Sequence, residues 1–181
     1  MLGVRVAAAV LLAVVGGACS EGDARDLVAS TTTGRAGLSL QVEEFDDPGD
    51  IPDRHSLEGG NIAPTLVWER VPSDAVELVV TVTDRDAGGF VHWLVAGIPP
   101  EADGIGAGRL PEGAVEGRND FGQVGYGGPA PPDGEQHRYE FRVTAYGATT
   151  GLEAGFTSED LLGAASGELL NTDEVIRFFG G

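Results

Sequence analysis

The stretch VELVVTVTDRDAGGFVHWLVAGIPP, residues 76–100, decides the fold. From Val76 to Asp84 apolar and β-branched residues fill successive rather than alternate positions. Both faces of such a segment need cover, so it reads as the central strand of a sheet. The polar DRDAGG at 84–89 breaks it, and the apolar run from Phe90 to Ile98 is a second strand, stopped by Pro99 and Pro100. His92 sits inside that second run. A titratable ring in a strand core costs free energy unless its polar atoms are satisfied. It either bonds a buried backbone carbonyl or faces a pocket.

On the N-terminal side, Leu38, Leu40 and Val42 alternate with Ser39, Gln41 and Glu43, the pattern of a strand with one wet face. A long turn-rich loop follows, and TLVWERVP from Thr65 gives a short strand stopped by Pro72. HRYEFRVTAYG alternates cleanly, with Tyr139, Phe141, Val143 and Ala145 on one face and Arg138, Glu140, Arg142 and Thr144 on the other. Helix is sparse. TSEDLLGAAS carries a capping-box pattern, Thr157 with Asp160, and NTDEVIRFF repeats the device with Asn171 and Glu174. Both are read as short helices. The sum is a mainly β, antiparallel, loop-rich domain with short helices near the C-terminus.

The chain has 181 residues, and its 41% hydrophobic and 22% charged composition is that of one folded domain with something extra. The 29 glycines and 10 prolines imply many turns. Net charge is −18, every basic residue is arginine, and no arginine-rich run exists, which argues against a nucleic-acid partner. A single cysteine, Cys19, excludes an intramolecular disulfide.

Residues 1–18 have the pattern of a secretory signal: Arg5, then an apolar run from Val6 to Val15, then Gly16, Gly17 and Ala18. The apolar run falls short of the roughly 20 residues that span a bilayer. The tail VVGGACS resembles a bacterial lipobox, with Gly16 where an aliphatic residue is usual. The expectation is a lipoprotein-type signal peptide over 1–18, lipidation at Cys19, a polar tether over 19–36 and a folded domain over 37–181. That places the domain in the cell envelope, lipid-anchored on the outer face of the cytoplasmic membrane, or otherwise secreted.

His92 and His137 each lie at a strand next to a glycine-dense turn, and Asp84 and Asp86 close the central strand. A carboxylate beside an imidazole fixes its tautomer and raises its basicity. Two imidazoles and the N–H groups of a stiff loop such as Gly125–Gly134 can together hold a small anion. The plain alternative is that each histidine satisfies a carbonyl and each aspartate caps a turn. His55 matches no site pattern and reads as a surface or loop hydrogen-bonding residue. Trp68 and Trp93 read as core, Asn119 and Asp120 as turn-ordering, and Arg138 as paired with an acid. No GxSxG nucleophile, phosphate loop, dinucleotide fingerprint or metal-ligand spacing is present, so no cofactor and no metal are expected.

GGNIAPTLVW, TDRDAGGFVHWLVAGIPP and GRNDFGQVGYGGPAPPDGEQHRYEFRVTAYG occur in that order. Together they resemble the phosphatidylethanolamine-binding protein (PEBP) family, in its bacterial, Raf-kinase-inhibitor-like branch, over about residues 37 to 181. The resemblance implies an antiparallel β-sandwich, a large central sheet against a smaller one, with a pocket for phosphate, acetate or a phosphoethanolamine head group. Carried across, the ligand-binding residues are Asp84, Asp86, His92, Tyr126, Pro129, Pro131, His137 and Tyr139. Arg85 and Gly88 replace prolines of the family pattern, and Arg85 is expected to bring a guanidinium near the pocket mouth. Phe90 replaces a tryptophan, and Phe178-Phe179 replaces an ending that carries a tyrosine.

The reading is an exported, lipid-anchored binding protein for a small anion or phospholipid head group, without catalytic residues. An inhibitor or interaction protein acting on an envelope or secreted partner is the alternative. A weak hydrolase using Asp84 with a histidine ranks below both, because no nucleophile is activated nearby.

Overall fold

A computed structural model describes residues 37–45, 49–106, 108–165 and 169–181. The signal-like segment, Cys19 and the tether lie outside the described residues. Among the described residues no helix is long and apolar enough to cross a membrane.

Among the described residues eight strands form two antiparallel sheets. β1 (Ser39–Val42), β2 (Leu66–Glu69) and β5 (Gly104–Ile105) make the small sheet in the order β1-β2-β5. β3 (Glu77–Asp84), β4 (Phe90–Ile98), β6 (Val115–Glu116), β7 (Gln136–Tyr146) and β8 (Leu169–Gly180) make the large one, ordered β6-β4-β3-β7-β8. As its two-sided apolarity requires, β3 is central, with β4 on one edge and β7 on the other.

The main core lies between the sheets. Leu40, Val42, Leu66, Trp68 and Ile105 of the small sheet meet Leu78, Val80, Val82, Trp93, Val95, Phe141 and Val143 of the large one. A second cluster, Val79, Val91, Leu94, Ala96, Tyr146, Phe156 and Leu161, covers the opposite face beneath the helix α1 (Ser158–Ala164). Thr157 and Asp160 close a reciprocal capping box at the start of α1.

The segment expected as a second late helix is the strand β8. It pairs with β7 from Gln136↔Gly180 to Tyr146↔Leu169. β7 without that partner would present a row of unpaired backbone groups on its outer edge. Val175, Ile176, Phe178 and Phe179 are β-formers, and their pairing outweighs the local cap signal of Asn171 and Glu174. The described residues therefore hold one α-helix near the C-terminus.

His55 is buried rather than on the surface. Its Nδ1 lies 2.7 Å from the Ile62 carbonyl and its ring packs edge-on to Phe45.

Candidate functional site

The sheet's alternation would put His92 and Trp93 on opposite faces. They are not so placed, because β4 carries a bulge. Thr83 pairs with Val91 and Val82 with Trp93, so His92 is the extra residue between two consecutive partners. A bulge re-aims a side chain at the cost of one unpaired position. Here it leaves Trp93 in the core and turns His92 against Tyr139, with ring centroids 5.2 Å apart.

The Pro-rich loop clamps His92 at one residue. Gly127 N–H donates to the His92 carbonyl (2.8 Å), and the His92 ring lies 2.6 Å from the Gly127 carbonyl through Nδ1. A carbonyl only accepts, so Nδ1 carries the hydrogen and Nε2 is left with its lone pair. Phe90 and Phe121 pack around the ring at 5.2 and 5.5 Å. Burial among these aromatics lowers the His92 pKa, offset in part by the Gly127 carbonyl.

Asp84 ends β3. Its Oδ1 accepts from Asp86 N–H (2.8 Å) and Ala87 N–H (3.0 Å), the Asx geometry that starts the turn to β4. Gly88 and Gly89 complete that turn at φ 69° and 85°, where a side chain would be strained. Asp84 Oδ2 meets His137 Nδ1 at 2.6 Å, and Glu135 Oε2 lies 3.3 Å from the same ring's Nε2. The hydrogen bond to Asp84 raises the His137 pKa, with a further contribution from Glu135. The two histidines are thus biased oppositely: His92 toward neutral, His137 toward imidazolium.

Tyr139 pairs across the strands with Asp84. Its hydroxyl is buried and makes no well-formed hydrogen bond, although Asp84 and the Ala130 backbone are close enough to influence it. Burial, then the charge of Asp84, raises its pKa.

The structure brings Asp84, His92, His137 and Tyr139 together. Asp86 is turned away onto Arg138, which donates to it from its backbone (2.7 Å) and its guanidinium (2.6 Å). That pairing lowers the Asp86 pKa to about 2. Asp86 and Arg138 fasten the Asp84 turn to the start of β7. Tyr126 packs edge-on to Trp93, and its hydroxyl donates to the His55 carbonyl at 2.9 Å. Pro129 and Pro131 line a cavity of about 290 Å³ with Asp53, Glu135 and Phe179. Asp84, His92, His137 and Tyr139 do not line it. A larger cavity, about 530 Å³, lies at the β2–β5 edge and contains none of the expected site residues.

Arg85 does not reach out beside the mouth as a free guanidinium. It is engaged with Glu140 and Glu174, which Arg142 also bridges. Two residues gained a role that their types alone did not announce. Asn61, at φ 54°, accepts from Gly128 N–H at 2.7 Å and ties the earlier loop to the Pro-rich one. Glu135 touches His137. For Asn61 the signal was its place in the GGNIAP motif; for Glu135 there was none. Among the described residues no cluster of three or more His, Cys, Asp or Glu is placed to hold a metal ion.

The sequence profile of the family described as phosphatidylethanolamine-binding protein matches residues 41–179. A UPF0098 protein of Methanothermobacter thermautotrophicus is 41% identical over 149 residues, covering 78% of this chain and 98% of its own. The UPF0098 protein YbcL of Escherichia coli K12 is 41% identical over 129 residues, 65% of this chain and 68% of its own. Among solved structures, a phosphatidylethanolamine-binding protein homologue from Chlamydia trachomatis superposes with a TM-score of 0.73 at 32% identity, over 81% of this chain and 99% of the other. The E. coli YbcL structure, described as a new member of the mammalian PEBP family, gives 0.72 at 30%, over 80% and 99%. The chain belongs to the phosphatidylethanolamine-binding protein family.

Proposed function

We propose that this binding protein takes a small anion, phosphate or a phosphoethanolamine-like head group, at Asp84, His92, His137 and Tyr139. One observation carries the reading: the Nδ1 atoms of His92 and His137 are already committed, to the Gly127 carbonyl and to Asp84, and the Tyr139 ring packs against His92. What a ligand can meet is Nε2 of each ring, that of His137 being contacted by Glu135 at 3.3 Å, and one phenol. An imidazolium at His137 donates, a neutral His92 accepts, and a hydrogen phosphate or acidic phosphomonoester carries both an oxyanion and a hydroxyl to match. Asp84 acts as a positioning residue that holds His137 charged. Pro129 and Pro131 form a stiff rim beside the site.

Calorimetric titration of the full chain with phosphate and with phosphoethanolamine tests this. Saturable binding that is lost in His92→Ala and in His137→Ala is expected. Absence of heat, or equal binding by both variants, overturns the reading.

Export and lipid anchoring belong to the same proposal and rest on residues 1–19 of the sequence. A lipid on Cys19 would hold the domain at the envelope surface, where head groups are at hand. Palmitate labelling of the wild type that disappears in Cys19→Ala is the expected result; equal labelling contradicts it. The second reading, an inhibitor of an envelope or secreted protein, predicts a captured partner that survives mutation of both histidines.

A further inference from the structure

His137 is held between two carboxylates that differ in kind. Asp84 is immobile: its side chain is 4% exposed, and its second oxygen is fixed by two backbone N–H groups. Glu135 is anchored only at its root. Its N–H donates to the Pro132 carbonyl at 3.0 Å, and Gly180 packs so closely on its carbonyl that a Cβ there would lie 2.2 Å away. Its side chain is 61% exposed, and the carboxylate reaches His137 Nε2 at 3.3 Å, a long contact for a charged pair. The cavity of about 290 Å³ that Glu135 also lines gives the side chain a place to move.

Nε2 is the nitrogen of His137 that Asp84 leaves for a ligand. We propose that Glu135 is an internal competitor, its carboxylate occupying the His137 Nε2 position that an incoming anion must take. The proposal rests on the anion-binding reading above. Glu135 then sets both affinity and selectivity. Every anion must displace it, and one that fails to move it fully meets a like charge at hydrogen-bond range. It also keeps His137 Nε2 satisfied while the site is empty.

Three variants separate this contact from a general effect of removing charge. Glu135→Gln keeps an acceptor and loses the charge; Glu135→Ala loses both. Asp133→Asn removes a charge from the same cavity; no hydrogen bond or ion pair joins Asp133 to His137. An exposed ion pair of this type corresponds to about a two- to fivefold effect on a competing equilibrium. Calorimetric titration of the full chain with inorganic phosphate is therefore expected to show about two- to fivefold tighter binding in Glu135→Gln, at least that in Glu135→Ala, and a much smaller change in Asp133→Asn. Equal affinity of wild type and both Glu135 variants overturns the competitor role and leaves the anion site standing. A gain in Asp133→Asn as large as in Glu135→Gln also overturns it. No phosphate binding by wild type or any variant overturns the anion reading and the competitor role together.

Discussion

Asp84 Oδ2 lies 2.6 Å from His137 Nδ1 and joins the end of β3 to the start of β7. The contact raises the His137 pKa above its ordinary 6.5. A raised folded-state value means that the stabilisation is fully present below the unfolded value and is lost as pH rises through the folded one. Asp84→Asn removes the charge and is expected to cost about 1.5–3 kcal/mol at pH 5.5, and less at pH 9. Denaturant unfolding at both values checks it; a gap independent of pH contradicts the coupling.

Asp86 behaves in the opposite sense. Arg138 lowers its pKa from 3.8 to about 2, so its contribution is present above 3.8 and fades as pH falls toward 2. Wild type should lose more stability than Asp86→Asn between pH 5 and pH 2.5. Parallel acid unfolding of the two proteins would remove the pair as a fastening for the Asp84 turn.

Gly128 marks where the Pro-rich loop meets the earlier one. A Cβ on it would lie 2.2 Å from the His55 carbonyl oxygen and 2.6 Å from the Ser56 carbonyl carbon, both backbone atoms. Neither can move as a side-chain tip would. Gly128→Ala is expected to destabilise by about 1–3 kcal/mol and to loosen the Leu57 N–H bond to the Pro129 carbonyl. Thermal unfolding with hydrogen exchange at Leu57 reads both effects.

His92 is biased toward the neutral form by burial. Phosphate against Nε2 changes both the charge and the hydrogen bonding at the ring, so saturating phosphate should shift the His92 midpoint in an NMR titration. A midpoint unmoved by phosphate that demonstrably binds would place the anion away from His92.

Much of this architecture was legible as local pattern. The two-sided apolarity of β3 and the strict alternation of Tyr139, Phe141, Val143 and Ala145 each state a burial requirement that only a sheet meets. β8 was not legible, because Asn171 and Glu174 mimic a helix start while the demand for a strand comes from β7, far away in the chain. The site was legible as a set of residue types, Asp84, His92, His137 and Tyr139. Its geometry was not. The bulge at His92 is a property of the pairing of β4 with β3, and no periodicity within β4 encodes it. Arg85 misled for a related reason: the acids that claim it, Glu140 and Glu174, stand on other strands.

If Asp84, His92, His137 and Tyr139 form an anion site, a crystal structure of the protein grown in phosphate will show tetrahedral density within hydrogen-bond reach of His92 Nε2, His137 Nε2 and the Tyr139 hydroxyl, with Glu135 swung aside. Density for water alone at that position, in crystals saturated with phosphate, would contradict it.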